Sequence, residues 1–250
     1  MRIVAWCAAL VFCSWQCHAD PLRVVLEVSP PHQTYDKQVV GGLTTNVVRE
    51  LLQHADLSGA FEVYPWARAF NIAKSTPNVL IYNMARTPER EADFIWIGPV
   101  ARYKFGFVKL KSRHDIQLQQ VEDAKKFVVG TQREDFTAEW LAAKGFADTG
   151  SLQLQPDIME TWRMLVNGKI DLLIDDPHAI DDMLLRFHLR RDEIEFSLFI
   201  PELAQTTWIA LAKNSDTELV QRLQQAYQKV VQGEAYRLVM AYPDTPLASK

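Results

Sequence analysis

The stretch Arg86-Thr87-Pro88-Glu89-Arg90-Glu91, which continues through Phe94, Trp96, Gly98 and Pro99, carries the clearest signal for the fold. It follows directly on the apolar run from Val79 to Tyr82, which predicts a strand. Arginine at this place is informative because its planar guanidinium group holds a carboxylate through two parallel hydrogen bonds. A second interpretation stays open, in which Thr87 is a helix N-cap and Pro88 is the first helical residue. The two are compatible, since small ligands are often held where a helix starts at a strand end.

The composition is that of an ordinary globular protein with an N-terminal export signal. The chain has 250 residues, of which 48% are hydrophobic and 23% are charged. Residues 1–19 combine a positive start with an apolar segment, which predicts a secretory signal peptide cleaved after Ala19. All three cysteines lie within this segment, so no disulfide or thiol chemistry is expected after it. We therefore expect an exported protein.

The charge pattern argues against nucleic acid and membrane partners. The formal net charge is −4, and loss of residues 1–19 makes it one unit more negative because only Arg2 is removed. No run rich in lysine or arginine is present, so nucleic acid and anionic membranes are poor candidates. No segment after residue 19 approaches the length of a spanning helix, and we expect that the protein is not embedded in a membrane.

Strands and helices alternate along the chain, and the pattern restarts after Val100. The first part predicts strands at 22–28, 61–64 and 79–82, a helix capped by Thr44 or Thr45, and a helix at 66–74. The second part predicts strands at 127–130 and 170–174, with helices that begin after Asp135 and Asp157. The last part predicts a strand at 206–211, a helix capped near Asn214 or Ser215, and a helix at 234–241. This alternation favours two α/β units with mainly parallel sheets, and the lack of a Gly/Ser linker favours more than one connection between them.

The sequence contains no convincing catalytic motif. It has no Gly-x-Ser-x-Gly elbow, no His-Glu-x-x-His helix and no phosphate-binding glycine loop, and we expect no cofactor. The acidic residues Asp175, Asp176, Asp181 and Asp182, with His178, could hold a cation. They could equally form a helix N-terminus and a solvated face, because acidic side chains are favourable in the first turn of a helix.

Polar side chains follow the predicted strands and are the candidate ligand-binding residues. Glu27 lies in an otherwise apolar strand, which is costly unless the carboxylate is paired or faces a cleft. The other candidates near strand ends are Trp66, Arg68, Asn83, Arg86 and Asp176. Ligands in open α/β sheets bind outside the carboxyl ends of the strands, so these side chains could converge on one crevice. The structural alternatives are a core position for Trp66, a solvated Arg68, and an N-cap role for Asp176 before Pro177.

The order of these blocks resembles the family 3 periplasmic solute-binding proteins, which serve polar amino-acid transporters. The resemblance covers nearly all of the chain after residue 19 and rests on Gly42, 87–90 with Phe94 and Gly98-Pro99, 128–132, and 168–171 leading to Asp176. It implies an α/β two-lobe fold of type II, with mixed sheets flanked by helices and two crossovers between the lobes. Lobe 1 would comprise 20–102 and 200–250, and lobe 2 would comprise 103–199. The segments 65–69 and 86–91 resemble a divergent branch of that family.

The resemblance also implies residue roles. Arg90 falls where the family binds the ligand carboxylate, Asp176 where it binds the α-amino group, Glu27 where an acid can read the ligand side chain, and Trp66 where that side chain packs. One departure concerns 133–135, which reads Arg-Glu-Asp where amino-acid binders usually carry Gly followed by Ser or Thr. Acidic residues at a helix N-terminus repel an anion. The ligand therefore need not be a standard α-amino acid, and Arg68, Arg86 and Arg133 could serve a different anionic group.

The function implied by the resemblance is capture of a small polar ligand by hinge closure. The ligand would be an amino acid or a related small amine or carboxylate, delivered by a monomeric binding protein to an inner-membrane ABC permease. Two other functions stay open. One is a free-standing periplasmic sensor, and the other is a dehydratase-like enzyme that acts on a cyclic carboxylic acid with Glu27 or Asp176 as general acid.

Overall fold

The computed structural model describes residues 20–241, which form two five-stranded sheets flanked by helices. The predicted signal peptide at 1–19 lies outside the described residues. Within residues 20–241, none of the helices combines the length and the apolar character needed to cross a membrane. The strands are β1 (Leu22–Leu26), β2 (Thr34–Asp36), β3 (Val39–Gly41), β4 (Gly59–Val63), β5 (Val79–Ala85), β6 (Phe94–Tyr103), β7 (Gly106–Leu110), β8 (Val129–Gln132), β9 (Leu152–Gln155), β10 (Leu172–Asp175), β11 (Ile194–Phe199) and β12 (Gln205–Ala212). The α-helices are α1 (Leu43–His54), α2 (Trp66–Ser75), α3 (Phe136–Ala143), α4 (Ile158–Val166), α5 (Ile180–Phe187), α6 (Thr217–Val230) and α7 (Glu234–Ala241).

The chain passes between the two sheets twice. The first sheet has the strand order β4-β1-β5-β12-β6, and the second has the order β11-β7-β10-β8-β9. The crossovers are therefore the segment between β6 and β7 and the segment between β11 and β12. We call the first sheet with its helices the first lobe, and the second sheet with its helices the second lobe. The predicted two-lobe α/β fold is confirmed, whereas the exact lobe boundaries stay a prediction.

Both sheets are mixed, so the mainly parallel sheets expected from the strand–helix alternation are wrong. In the first sheet β1 is parallel to β4 and β5, but β12 is antiparallel to β5 and β6. In the second sheet β7 is antiparallel to both β10 and β11, while β8 is parallel to β9 and β10. In the first sheet the reason is the second crossover, which returns the chain and inserts β12 between β5 and β6. In the second sheet the antiparallel strand is β7, which enters from the first crossover.

Each sheet is buried on both faces, because successive side chains of a strand point to opposite sides. In the first lobe Val24 and Leu80 pack with α1 and α6, while Val25 and Ile81 pack with α2. In the second lobe Leu172 and Ile174 pack with α3, while Leu173 packs with α4 and α5. These continuous apolar strands are the ones that the sequence patterns indicated most clearly, and they fix the carboxyl ends at which polar residues emerge.

Several helix starts follow the sequence. Asp135 and Asp157 are N-caps as predicted, and their carboxylates accept hydrogen bonds from the backbone N–H groups of Thr137 and Glu160. The predicted N-cap near Asn214 or Ser215 is wrong, because α6 is preceded by Asp216.

The predicted threonine cap of α1 is also wrong. Gly42 is the residue before the helix, with φ of 105°, and a Cβ atom there would lie 2.4 Å from the carbonyl oxygen of His32. The hydroxyl group of Thr44 instead donates to that same carbonyl at 2.8 Å, and Thr45 pairs with the hydroxyl group of Tyr82. The threonines are therefore used to hold neighbouring segments rather than to start the helix.

No helix begins at Thr87. Residues 88–93 form turns in which the N–H of Arg90 bonds to Thr87 and the N–H of Asp93 bonds to Arg90, each to the carbonyl three residues earlier. The chain then enters β6, where Gly98 lies against α6: a Cβ atom at this position would lie 2.2 Å from the ring of Tyr227. The 86–91 block is thus part of a tight connection between β5 and β6, which lie on either side of β12 in the first sheet, and this connection fixes the position of Arg90.

Candidate functional site

A small cavity lies between the two lobes, at the carboxyl ends of β1, β5, β8 and β10. Its volume is about 60 Å³. The first lobe contributes Glu27, Ser29, Gln33, Asn83, Ala85 and Thr207 to its wall. The second lobe contributes Gln132, Asp135, Phe136, Thr137, Ile158, Ile174 and Asp175, and the crossover contributes Tyr103 and Phe105. The position agrees with the general rule for ligands of open α/β sheets.

Glu27 belongs to the first lobe, and its side chain forms a hydrogen bond with the second lobe. Its side chain is 9% exposed, and the amide nitrogen of Gln132 donates to its carboxyl group at 2.7 Å. Burial raises the pKa of Glu27 well above its usual range, and the negative charges of Asp135 and Asp157 raise it further. Hydrogen bonds from Gln132 and from the N–H of Ile158, the first residue of α4, lower that pKa only in part. A positive charge in the cavity would stabilise the ionised form of this carboxyl group.

Two further carboxyl groups line the cavity from the second lobe. Asp135 is held as the N-cap of α3 through the N–H of Thr137. Asp175 is 8% exposed and accepts hydrogen bonds from the indole N–H of Trp162 and from the N–H of Asp176, at 2.6 and 2.7 Å. Burial raises the pKa of Asp175 to about 7, against the lowering effect of these two hydrogen bonds. The cavity is therefore strongly acidic, and none of its lining residues within 20–241 is a lysine or an arginine.

Aromatic rings form another part of the wall. Tyr103 and Phe105 lie at the crossover and stack with their centroids 5.7 Å apart, and Phe136 meets Phe105 edge-on at 5.4 Å. The faces of aromatic rings attract cations through their quadrupole. Three rings and three carboxyl groups around one small space are a combination that suits a positively charged ligand.

Neutral polar groups from the first lobe complete the wall. Asn83 has φ of 60°, a left-handed conformation that asparagine tolerates. Its amide nitrogen donates to the hydroxyl of Thr44 at 2.9 Å, and its amide oxygen accepts from the hydroxyl of Thr207 at 3.3 Å. Asn83 is therefore held on both sides at the carboxyl end of β5.

Arg90 and Trp66 meet the second lobe at one backbone carbonyl. The guanidinium group of Arg90 donates to the carbonyl oxygen of Glu134 at 2.8 Å, and the indole N–H of Trp66 donates to the same atom at 3.0 Å. We call this pair of hydrogen bonds the Glu134 contact. Arg90 is 2% exposed, also donates to the carbonyl of Ala85, and packs under the rings of Trp66 and Phe70. Neither Arg90 nor Trp66 is among the residues that line the cavity.

Asp176 is held beside the crossover rather than in the cavity wall. Its carboxylate accepts hydrogen bonds from the N–H of Lys104 and the N–H of His178, both at 2.8 Å, and it lies 2.9 Å from the ring nitrogen Nδ1 of His178. It is 4% exposed and is the N-cap of the short 3₁₀ turn at 177–179. This N-cap role before Pro177 is the alternative that the sequence left open for Asp176. The neighbouring Asp175 is the acid that lines the cavity.

The other three candidate arginines lie away from the cavity lining. Arg86 forms a paired contact with Glu91 and lies over the rings of Trp96 and Trp208. Arg68 is exposed and lies over the ring of Tyr64 at 4.5 Å. Arg133 is exposed and donates only a long bond, 3.5 Å, to the carbonyl of Leu154. A shared role of these three arginines in binding an anionic group stays a prediction, because none of them lines the cavity.

Of the eight candidates, the structure brings Glu27 and Asn83 into the cavity wall, and the other six are not among its lining residues. Sequence reasoning missed Tyr103, Phe105 and Phe136. It named Asp175 only within an acidic group that could hold a cation, and Asp135 only as a helix N-cap and an obstacle to anions. The signal for Asp175 was its position at the end of an apolar strand. Within residues 20–241, no group of three or more His, Cys, Asp or Glu side chains is arranged to hold a metal ion, which includes the acidic group around His178.

The comparisons with solved structures identify the fold of this chain. No protein-family model matches the sequence. No curated protein matches it either. A solved structure of a histidine kinase sensor domain with similarity to periplasmic binding proteins is 16% identical, covers 88% of this chain and 94% of its own, and has a TM-score of 0.77.

Two solved structures of amino-acid-binding proteins have comparable sequence identity, coverage and TM-scores. An ancestral arginine-binding protein bound to arginine is 18% identical, with coverage of 88% of this chain and 96% of its own and a TM-score of 0.74. The arginine-, lysine-, histidine-binding protein ArtJ from Geobacillus stearothermophilus is 15% identical, with coverage of 89% and 94% and a TM-score of 0.74. The chain therefore has the two-lobe fold of periplasmic binding proteins that the resemblance implied.

Proposed function

We propose that the protein is a periplasmic binding protein that encloses a small, positively charged ligand between its two lobes. The observation that carries the proposal is the cavity between the lobes, whose wall holds three carboxyl groups and three aromatic rings but neither lysine nor arginine among the described residues. This narrows the small polar ligand expected from the sequence to one with an amine, guanidine or similar cationic group.

The electrostatics of Glu27 support a cation in particular. A carboxyl group that is removed from water loses its hydration, and its pKa rises unless an opposite charge compensates. Glu27 has only neutral donors, Gln132 and the N–H of Ile158, and two acids add to the unfavourable potential. A ligand cation at hydrogen-bond distance would supply the missing charge. Binding should therefore release a proton from Glu27 and should strengthen as the pH rises.

Hinge closure and delivery belong to the same proposal. Contacts that exist only when the lobes meet, such as the bond between Glu27 and Gln132, join the two walls of the cavity. A ligand that touches both walls favours the closed arrangement by its differential affinity for it. We propose that the protein acts as a monomer and presents the ligand to an inner-membrane ABC permease.

A sensing role is the second candidate, and the likeness to a histidine kinase sensor domain favours it. In that case the closed form signals to a membrane partner without transport. Deletion of the gene separates the two functions: transport predicts loss of ligand uptake, whereas sensing predicts normal uptake with loss of the response to the ligand. The dehydratase alternative is not favoured, because an acidic cavity is a poor site for a cyclic carboxylic acid.

The test is a thermal-shift screen at pH 7.5 with compounds grouped by charge. Amines, guanidines and basic amino acids should raise the melting temperature by mass action, whereas succinate, glutamate and benzoate should leave it unchanged. The Glu27→Gln variant should lose the shift. Stabilisation by the anions alone, or by no compound in the screen, would contradict the proposed ligand class.

A further inference from the structure

The Glu134 contact uses two donors of the first lobe that could otherwise bind a carboxylate group of a ligand. Two donors of the first lobe, the guanidinium group of Arg90 and the indole N–H of Trp66, converge on one carbonyl oxygen of the second lobe, at 2.8 and 3.0 Å. A guanidinium group is a strong donor to carboxylate oxygens, so a buried arginine between the lobes is a group that an anionic ligand could use. Here the chain itself supplies the oxygen.

The backbone at Glu134 is shaped to present this carbonyl. Glu134 has φ of 61°, a left-handed conformation that is costly for a residue with a Cβ atom and persists when surrounding contacts determine it. It stands between Gln132, the last residue of β8, and Asp135, the N-cap of α3. Its side chain is exposed, so the interlobe bonds depend on the backbone atom and not on the carboxylate.

The donors that an anionic ligand would need are taken. Arg90 is 2% exposed, and its other assigned hydrogen bonds go to Ala85 and, at 3.5 Å, to Glu139. Its Nε–H is buried without a partner among the described residues, but Arg90 does not line the cavity. At the start of α3, the N–H of Thr137 is bound by the carboxylate of Asp135. The guanidinium group of Arg90 and the N–H of Thr137 at the start of α3 are thus both hydrogen-bonded within the protein.

We infer that the site selects small cations without a carboxylate group, because the carbonyl of Glu134 already engages Arg90, the buried cation that a carboxylate would need. This inference rests on the proposed function, since it names a subclass of the cations that the acidic cavity would bind. A carboxylate on the ligand would have to displace the Glu134 carbonyl or approach Glu27, Asp135 and Asp175 without a compensating positive charge.

The experiment compares three pairs of compounds that differ only by a carboxylate: agmatine and arginine, cadaverine and lysine, putrescine and ornithine. Calorimetric titration of the purified protein at pH 7.5 should give at least about tenfold tighter binding for the decarboxylated member of any pair that binds. Equal or tighter binding of the amino acids would overturn the inference and leave the cation site standing. No binding by any of the six would overturn the cation site, and the inference with it.

Two matched tryptophan variants test the Glu134 contact. Trp66→Phe removes one donor to the carbonyl of Glu134 but keeps an aromatic ring beside Phe70. It should reduce the ratio of affinities within a pair by about threefold or more, because the carbonyl becomes easier to displace. Trp96→Phe is the control, since the indole N–H of Trp96 has no partner among the described residues. An unchanged ratio in a folded Trp66→Phe protein, or an equal loss in Trp96→Phe, would overturn the role of the contact.

Discussion

The acidic cavity and the Glu134 contact lie near each other between the same two lobes, yet they treat charge in opposite ways. In the cavity, Glu27, Asp135 and Asp175 accept hydrogen bonds only from neutral donors among the described residues, so their ionised forms lack a compensating positive charge from the protein. At the Glu134 contact, the buried cation Arg90 is bound by backbone oxygens of both lobes. The cavity therefore lacks a positive charge that a ligand could supply, whereas the charge at the Glu134 contact is already paired within the protein. The predictions below test this difference from the largest expected effect to the smallest.

The stability of the protein should fall as the pH rises from 4 to 7. Asp175 has a pKa of about 7 in the folded protein, whereas an unfolded aspartate has a pKa of about 3.9. Between these values the folded state binds more protons than the unfolded state, so this stabilisation is fully present below about pH 4 and is lost as the pH passes 7. The shift corresponds to about 4 kcal/mol over the full range.

Urea denaturation at pH 4, 5.5 and 7 measures this dependence. Asp175→Asn should make the slope of unfolding free energy against pH less steep, with the remaining slope contributed in part by Glu27, while the exposed control Asp192→Asn should keep the wild-type slope. A slope in Asp175→Asn equal to that of the wild type would mean that Asp175 does not keep its proton in the folded protein.

Replacement of Glu27 tests the cavity as the cation site. Glu27→Gln removes the carboxylate but keeps the size of the side chain, and the affinity for a cationic ligand should fall by about a hundredfold, which is the cost of leaving one partner of a buried charge pair without its counterpart. Glu139→Gln is the matched control, because Glu139 lies beside Arg90 and outside the cavity lining. Calorimetric titration should show a change of no more than about twofold for this control. Similar losses in both variants would place the cation elsewhere.

The two arginines of the 86–91 block should differ in their importance for stability. Arg90→Met removes the charged donor to the carbonyls of Glu134 and Ala85, leaves Glu134 with the indole N–H of Trp66, and should lower the free energy of unfolding by about 3 kcal/mol. Arg86 forms its pair with Glu91 at the surface, where the two side chains are 35% and 50% exposed, so Arg86→Met should cost less than about 1 kcal/mol. Urea denaturation of both variants measures the difference. Equal costs would show that the Glu134 contact adds no stability.

The smallest effect is expected at Arg133. Its side chain is exposed and makes only one long hydrogen bond, so Arg133→Ala should change the affinity for a cationic ligand by less than about twofold. Titration of the variant beside the wild type is sufficient. A large loss would mean that the ligand contacts a group outside the cavity described above.

Local sequence patterns predicted the parts of the fold that depend on neighbouring residues. Helix α7 has the predicted bounds, α3 begins after Asp135, and the apolar strands β1, β5 and β10 lie where the pattern indicated. Neither the hairpin β2–β3 nor β6, β9, α5 and β11 was predicted from the sequence. The strands among them depend on pairing with distant parts of the chain, which a local pattern does not show.

The site was harder to predict because its side chains meet across the crossover. Arg90 and Glu134 are 44 residues apart, and Glu27 and Gln132 are 105 residues apart. No local pattern shows that the partner of a buried arginine is a backbone carbonyl. Asp175 and Asp176 illustrate the same difficulty, because successive residues of a strand face opposite sides and only the structure shows which carboxylate reaches the cavity.

Proton release on binding tests the central claim most directly. Agmatine, or the cation with the largest thermal shift, is titrated into the wild-type protein and Glu27→Gln at pH 7 by calorimetry in two buffers of different ionisation enthalpy. The wild type should release protons as the cation binds, because the positive charge lowers the raised pKa of Glu27. The variant should bind weakly and release fewer. Tight binding with no proton release, or with proton uptake, would contradict a cation bound at Glu27.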